Sequence, residues 1–204
     1  MIKTILFDFD GVILDSMKIK SDGFIELFKE YPKEALVEFE TYHYANGGIS
    51  RFEKISHFFN TILKHTIDGS DVEVLAEKFA HIIAMKLFDK KNLISDTMNF
   101  IEKNHQNYNL YIVSGAEHNE LKMLCKFLEI ERFFLEIHGS PTPKSTLVGH
   151  ILKKYHYEKS DTILIGDSIN DYKAASDNEI EFFGYNNSEL KIFNYIASFK
   201  DVRF

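Results

Sequence analysis

The stretch TILFDFDGVILDS, residues 4–16, decides the fold of this chain. A short apolar run from Ile5 to Phe7 passes directly into Asp8, Asp10 and Gly11. A continuous apolar run of this length, followed by turn-forming residues, is typical of a strand that is buried on both faces of a parallel sheet. The two aspartates should therefore lie at the carboxyl end of that strand.

Similar apolar runs recur along the chain, and helical patterns separate them. The predicted strands are 110–113, 163–165 and 181–185, with a weaker one at 134–137, and the predicted helices are 117–128, 144–155 and 170–176. Strands that alternate with helices form a parallel sheet with helices on both faces. The pattern predicts an α/β fold with a Rossmann-like parallel sheet as its core.

Residues 17–91 interrupt this alternation. They show helical periodicity without a convincing strand, as in the spacing of Phe52, Ile55, Phe59 and Ile62. We therefore predict two domains: a catalytic core made of residues 1–16 and 92–204, and an α-helical cap domain, residues 17–91, inserted into it. The phenylalanines of the insertion should form its own small core.

The composition limits the classes of function. The 204-residue chain is 45% hydrophobic and carries a formal net charge of -7, with scattered Lys and Arg residues, which argues against nucleic-acid binding. No apolar segment reaches about 18 residues, so no membrane span is expected. The single cysteine, Cys125, lies in an apolar helical stretch and fits core packing in a reducing compartment. We expect a soluble, cytoplasmic protein, and nothing in the sequence demands more than a monomer.

Three of the predicted strands end in residues that can bind or react. These residues are Asp8, Asp10, Ser114, Gly115, Asp167 and, four positions further on, Asp171. In a parallel sheet, ligands bind in the crevice beyond the carboxyl ends of the strands. Several ionised carboxylates in one small space require a cation, and oxygen ligands suit magnesium. The sequence thus predicts a Mg²⁺ site at this edge.

A metal beside a carboxylate suits phosphoryl transfer. An aspartate can attack phosphorus to form an aspartyl-phosphate, which water later cleaves. A second carboxylate two residues away can protonate the leaving oxygen and then deprotonate the water. The spacing of Asp8 and Asp10 fits these two roles.

Four segments of the chain, in order, resemble the motifs of haloacid dehalogenase-like hydrolases. They are residues 8–16, DFDGVILDS, then Ser114, Lys144 and residues 166–171, GDSIND. The resemblance implies that Asp8 is the nucleophile and a metal ligand. It implies that Asp10 is the acid and base, with its backbone carbonyl on the metal, and that Asp167 is the remaining metal ligand.

The same resemblance assigns the phosphate-binding groups. Ser114, with Gly115 beside it, would bind phosphate, and Lys144 would neutralise the nucleophile and the phosphate. Asp171 would support the water shell of the metal or Lys144. In isolation, Ser114 could instead cap the following helix, Lys144 could be a solvated surface residue, and Asp171 could stabilise a helix N-terminus.

Ser50 and Arg51 begin a predicted helix in the insertion. Ser50 followed by Glu53 is the capping-box pattern, so residues 46–50 should be a loop. The segment Gly48-Ile-Ser-Arg51 is similar to a segment of β-phosphoglucomutase in which the arginine holds the second phosphate of the substrate. Arg51 would then bind an anionic substrate group, although an exposed first-turn arginine is the alternative.

These features predict a magnesium-dependent phosphatase that hydrolyses a small phosphate monoester, such as a sugar phosphate, through an aspartyl-phosphate. The dehalogenases of the family that this chain resembles lack an aspartate at the position of Asp10, so phosphate chemistry is favoured for this chain. The phosphomutases of that family carry a histidine where this chain has Lys20. This difference favours hydrolysis over mutase activity. The alternatives are a phosphomutase and a non-catalytic binding protein on the same fold. His43 and His57 show no zinc-ligand spacing and are interpreted as packing or surface residues.

Overall fold

A parallel sheet lies at the centre of the structure, a computed structural model that describes residues 1–200 and 202–204. Within these residues the sheet has six strands: β1 (Thr4–Phe7), β2 (Asn109–Glu117), β3 (Glu136–Ser140), β4 (Thr162–Gly166), β5 (Glu181–Tyr185) and β6 (Asn194–Ile196). Their order is β3-β2-β1-β4-β5-β6, and every neighbouring pair is parallel. The predicted α/β fold with a Rossmann-like sheet is therefore confirmed.

Helices cover the sheet and fill the insertion. The α-helices are α1 (Met17–Leu27), α2 (Lys33–Ala45), α3 (Arg51–His57), α4 (Gly69–Leu87), α5 (Ser95–Asn104), α6 (His118–Phe127), α7 (Lys144–Tyr155) and α8 (Ile169–Asp177). A π-helical turn, Phe58–Ile62, continues α3, and short 3₁₀ turns span Lys90–Asn92, Glu131–Phe133, Lys159–Asp161 and Ser188–Ile192. In the described part of the chain, no helix combines the length and apolarity needed to cross a bilayer.

Strand β1 occupies the middle of the sheet, and its side chains alternate between the two faces. Ile5 and Phe7 pack into one apolar cluster, whereas Leu6 packs into the other, against Val148 and Ala174 of α7 and α8. All of these side chains are at most 2% exposed. Full burial of such a side chain stabilises the fold by about 1.5–3 kcal/mol. An apolar run without a polar position is what a strand covered on both faces requires.

Helices α1–α4, residues 17–87, form a helical insert whose aromatic rings belong to the same apolar cluster as Ile5 and Phe7 of β1. Phe24, Phe28, Phe39, Phe58 and Phe79 are each at most 2% exposed. The rings of Phe28 and Phe58 stack with centroids 3.9 Å apart. The phenylalanines of the insert are thus buried as predicted, but they continue the core of the sheet and do not form a separate one.

The contact between α1 and α4 depends on Gly23. A Cβ atom at this position would lie 2.2 Å from Cγ2 of Ile83. Because real Cβ contacts are never this short, only glycine lets the two helices approach so closely. Gly23 therefore sets the spacing of the insert.

Several element boundaries differ from the sequence prediction. Helix α5 and strand β6 were not anticipated, β3 begins two residues later than expected, and β2 continues to Glu117. Strand β6 has only three residues, too few to show a period, and β2 contains an irregular register between Val113 and Glu117. The predicted loop 46–50 and the helix start after Ser50 are both confirmed, because Ser50 accepts a hydrogen bond from the backbone of Glu53.

Candidate active site

The carboxyl ends of β1, β2 and β4 bring the sequence-predicted residues together. Phe7, the last residue of β1, is in register with Ile112 of β2 and Ile165 of β4. The backbone N–H of Asp8 donates to the carbonyl of Ile165 at 2.9 Å. Asp8 therefore leaves the sheet beside the end of β4, where Asp167 follows.

Gly11 allows the loop after β1 to pass close to Asp167. Its φ of 77° lies in the left-handed region, and a Cβ there would lie 2.0 Å from Oδ2 of Asp167. A side chain at residue 11 would be both strained and in collision with that carboxylate. The aspartate-rich loop requires glycine at this position for both reasons.

Three carboxylates converge at this edge, two of them buried and the third, that of Asp167, half-buried. Asp8, Asp167 and Asp171 each present an oxygen within 4.8 Å of the other two. Oδ2 of Asp8 and Oδ1 of Asp167 are buried and accept no hydrogen bond from the described residues. Burial and the negative charge of the neighbouring aspartates raise the pKa of Asp8 to about 7 and the pKa of Asp167 well above its usual value. Orphaned oxygens on crowded carboxylates fit a divalent cation with hard oxygen ligands.

Lys144 is the cation that the fold itself supplies. Its Nζ lies 2.8 Å from Oδ1 of Asp8 and also pairs with Asp171, and its side chain is 7% exposed. Burial alone would lower the pKa of Lys144, but Asp171 and Asp8 raise it above its ordinary value, so the residue stays charged. The alternative interpretation of Lys144 as a solvated surface residue is therefore wrong.

Asp171 has two partners at once. It forms a capping box with Ser168 at the start of α8, and it pairs with Lys144. The helix-terminus role and contact with Lys144 thus coexist, and the capping box holds the carboxylate in place.

Asp10 lies in the same loop but points to a different set of partners. Its carboxylate accepts hydrogen bonds from Ser16 Oγ and from Lys20 Nζ, each at 2.5 Å. Burial would raise the pKa of Asp10, but the charge and hydrogen bond of Lys20, with Ser16, lower it overall. The sequence marks Lys20 only as a departure from a phosphomutase motif, whereas the structure shows that it contacts Asp10.

Ser114 and Gly115 lie two to three residues before the carboxyl end of β2, next to loop 46–50. Ser114 is 1% exposed and its Oγ accepts from the N–H of Ala116 at 3.1 Å. Helix α6 is capped by Glu117, so the reading of Ser114 as the cap of this helix is wrong. A Cβ on Gly115 would lie 2.1 Å from the carbonyl oxygen of Gly48, which means that only glycine admits the loop here.

Arg51 is buried, not exposed. It forms a two-pronged ion pair with Glu120 of α6 and lies 5.1 Å from the ring centroid of Phe79. Because Arg51 belongs to α3 and Glu120 to α6, this pair joins the helical insert to a helix of the core. The residues are 69 positions apart, and no local pattern connects them.

A small cavity lies between the insert and the carboxyl ends of β1 and β2, where Asp10 and Gly115 line it. It encloses about 30 Å³ for the centres of water molecules, room for about two waters. Its polar lining includes Asp10, Lys20, His43, Arg51 and Lys54. Sequence reasoning missed Lys54, although its position three residues after Arg51 places both on one side of α3. His43, expected to be a packing or surface residue, is 1% exposed and packs inside the insert against Phe24.

Comparison with known proteins supports a common fold and family. The chain is 26% identical over 216 residues to the pyrophosphatase PpaX of Oceanobacillus iheyensis, covering 97% of this chain and 89% of that protein. It is 24% identical over 201 residues to the phosphoglycolate phosphatase of Aliivibrio fischeri, covering 92% and 87%. The structure of β-phosphoglucomutase from Clostridium difficile matches with a TM-score of 0.78 at 18% identity, covering 100% of this chain and 94% of that one. The last likeness shows the fold.

The match to a family description covers most of the chain. Residues 2–177 match the family described as haloacid dehalogenase-like hydrolase. This range includes the helical insert and all the residues that the sequence predicted for the site. The chain therefore belongs to the haloacid dehalogenase-like hydrolases.

Proposed function

We propose that this protein is a magnesium-dependent phosphatase that hydrolyses a small phosphate monoester through an aspartyl-phosphate on Asp8. One observation carries the proposal. Asp8 and Asp167 present buried oxygens without hydrogen-bond donors, next to a charged Lys144, at the carboxyl edge of the sheet. This arrangement combines a nucleophile, a metal site and a fixed cation for phosphate.

The side chains of Asp8 and Asp167, with the backbone carbonyl of Asp10, would hold Mg²⁺, and Asp171 would support them. Magnesium is typical of the family. When bound, the ion neutralises the phosphate and the crowded carboxylates. Lys144 stays protonated beside Asp8, so it offsets negative charge on the incoming phosphate as well.

The covalent step begins with attack of an Asp8 oxygen on phosphorus. A new O–P bond forms, the bond from phosphorus to the ester oxygen breaks, and Asp10 supplies the proton that the leaving alcohol needs. In the second step Asp10 takes a proton from water, whose oxygen attacks phosphorus and releases inorganic phosphate from Asp8. Lys20 favours the ionised form of Asp10, so it assists the second step, whereas the first step requires Asp10 to hold a proton.

Ser114 and Gly115 would hold the phosphoryl oxygens that Asp8 and Lys144 do not contact. Both residues lie near the carboxyl end of β2, next to the nucleophile in the sheet order. The Ser114 hydroxyl and the backbone N–H of Gly115 are donors of the kind that stabilise developing negative charge.

Residues 17–91 would act as a cap on a core of residues 1–16 and 92–204. Loop 46–50 already contacts the site, because Asn170 donates to the carbonyl of Gly47 at 2.8 Å. The cavity is too small to admit a substrate from solution without movement of the insert. The cap would open for substrate and close to exclude water.

A small phosphorylated metabolite is the proposed substrate class, and Arg51 is proposed to bind an anionic group of it. The named relatives are a pyrophosphatase and a phosphoglycolate phosphatase, whose names both describe phosphates that carry a further anionic group. The substrate group would have to compete with Glu120 for Arg51.

The direct test is a screen of purified protein against a panel of phosphometabolites, with and without Mg²⁺. We expect inorganic phosphate release that depends on Mg²⁺ and falls by at least about 10³-fold in Asp8→Asn, because the nucleophile is lost. Asp177→Asn, an exposed aspartate at the end of α8, is the matched control and should keep full activity. Asp8→Asn as active as wild type would refute the covalent mechanism. Formation of a phosphate isomer instead of free phosphate would identify a phosphomutase.

A further inference from the structure

The cavity between the insert and the sheet is lined by three basic side chains, and they differ in their partners. Lys20 is neutralised by Asp10, and Arg51 is neutralised by Glu120. Within residues 1–200 and 202–204, Lys54 has no carboxylate within 4.0 Å of its Nζ. Only one of the three cations thus faces the cavity without a counter-charge.

Neutral acceptors hold Lys54 in place. Its Nζ lies 3.0 Å from Nδ1 of His43 and 3.3 Å from the His43 carbonyl oxygen. Nε2 of His43 lies 3.4 Å from the carbonyl oxygen of Met17, a contact that puts the ring proton on Nε2 and leaves Nδ1 as an acceptor for the lysine. Burial and the neighbouring Lys54 lower the pKa of His43 to about 3, so the ring is neutral at physiological pH.

A buried ammonium without a counter-charge is costly. Lys54 is 4% exposed, and burial with the charge of Lys20 lowers its pKa to about 7. A buried charge that no carboxylate contacts directly destabilises the fold unless an opposite charge joins it. The position is therefore suited to an anion that arrives from outside the chain.

We propose that Lys54 is a specificity-determining residue that binds a second anionic group of the substrate, a carboxylate or a second phosphoryl group. This inference rests on the proposed phosphatase function and extends it to phosphate monoesters that carry such a group. His43 is a positioning residue, because it acts only through Lys54. Arg51 would contribute to the same subsite once Glu120 releases it, whereas Lys54 needs no such exchange.

The test uses a matched pair of esters. 2-Phosphoglycolate and ethyl phosphate have the same chain length, but only the first carries a carboxylate. We expect the wild-type protein to prefer 2-phosphoglycolate. Lys54→Met removes the charge and keeps most of the side-chain length, so this variant should lose at least about tenfold in kcat/KM for 2-phosphoglycolate, mainly through KM. The value for ethyl phosphate should stay within about twofold, and Lys54→Arg should restore the preference.

A pH profile separates substrate binding from a structural role. The titratable and charged groups that act on Lys54 are His43 on α2, Lys20 on α1, and the aspartates Asp10, Asp8 and Asp167. Because the free ammonium loses its proton near pH 7, the ratio of kcat/KM for 2-phosphoglycolate to that for ethyl phosphate should fall between pH 6.5 and 8.5. Lys54→Arg, which stays charged, should flatten this decline.

The outcomes can be told apart. If Lys54→Met lowers kcat/KM equally for both esters, or for neither of them, Lys54 does not bind the second anionic group and the inference is wrong. If wild-type protein releases phosphate from no substrate, the proposed function fails. In that case calorimetric binding of 2-phosphoglycolate and ethyl phosphate to Asp8→Asn and to Asp8→Asn/Lys54→Met still measures the preference without turnover. If Lys54→Met does not fold, the wild-type and Lys54→Arg pH profiles decide the question.

Discussion

The ion pair of Arg51 and Glu120 joins the helical insert to the core, so removing one partner should destabilise the protein. The two residues are 7% and 9% exposed. Breaking one partner of a buried pair costs about 3–5 kcal/mol, because the other charge is left buried. In Glu120→Gln the amide keeps one acceptor for the guanidinium, so we expect the lower value, about 3 kcal/mol. For a chain of this length that corresponds to a fall in Tm of about 6–12 °C.

Thermal and urea denaturation, followed by circular dichroism, measure this effect. The matched control is Glu77→Gln, an exposed glutamate of α4 that lines the same cleft as Glu120, and it should stay within about 0.5 kcal/mol of wild type. The double variant Arg51→Met/Glu120→Leu removes both charges and should regain most of the lost stability. If Glu120→Gln unfolds at the same urea concentration as Glu77→Gln, the pair contributes nothing and the reasoning is refuted.

Two further predictions concern the insert and the metal site. Gly23→Ala should destabilise the protein by about 1–3 kcal/mol, because its Cβ would collide with Ile83. The control is Gly69→Ala, whose Cβ would meet no atom within 4 Å, and it should change the free energy of unfolding by less than about 0.5 kcal/mol. Burial and the charge of Asp171 raise the pKa of Asp8 to about 7. Between about pH 4 and 7 the metal-free folded state therefore binds more protons than the unfolded state. The stability that the protonated Asp8 contributes is lost as the pH rises through this range. Mg²⁺ should therefore raise Tm more at pH 7.5 than at pH 5, and an equal shift at both values would contradict a site built on Asp8.

The sequence alone determined the central strands of the sheet and the positions of their reactive ends. Strands β1, β4 and β5 are readable because a strand covered on both faces needs an uninterrupted apolar run, and that run lies within a few residues. The positions of Asp8, Ser114 and Asp167 after predicted strands were enough to predict that they meet, since parallel strands bring their carboxyl ends to one edge. Lys144 was expected at the same place only from the family resemblance. Strand β6 escaped prediction because three residues carry no measurable period.

Only the tertiary structure decided which charges are paired. Lys20 with Asp10, Arg51 with Glu120, and Lys54 with His43 are contacts between separate elements, and the Arg51 pair spans 69 positions. Such pairings depend on how the helical insert packs over the sheet, including the close approach that Gly23 allows. The sequence shows that a residue is basic, but the packing of distant elements sets its partner. Of the lysine and arginine side chains that line the described cavity, this packing leaves Lys54 as the one that has no carboxylate as an ion-pair partner.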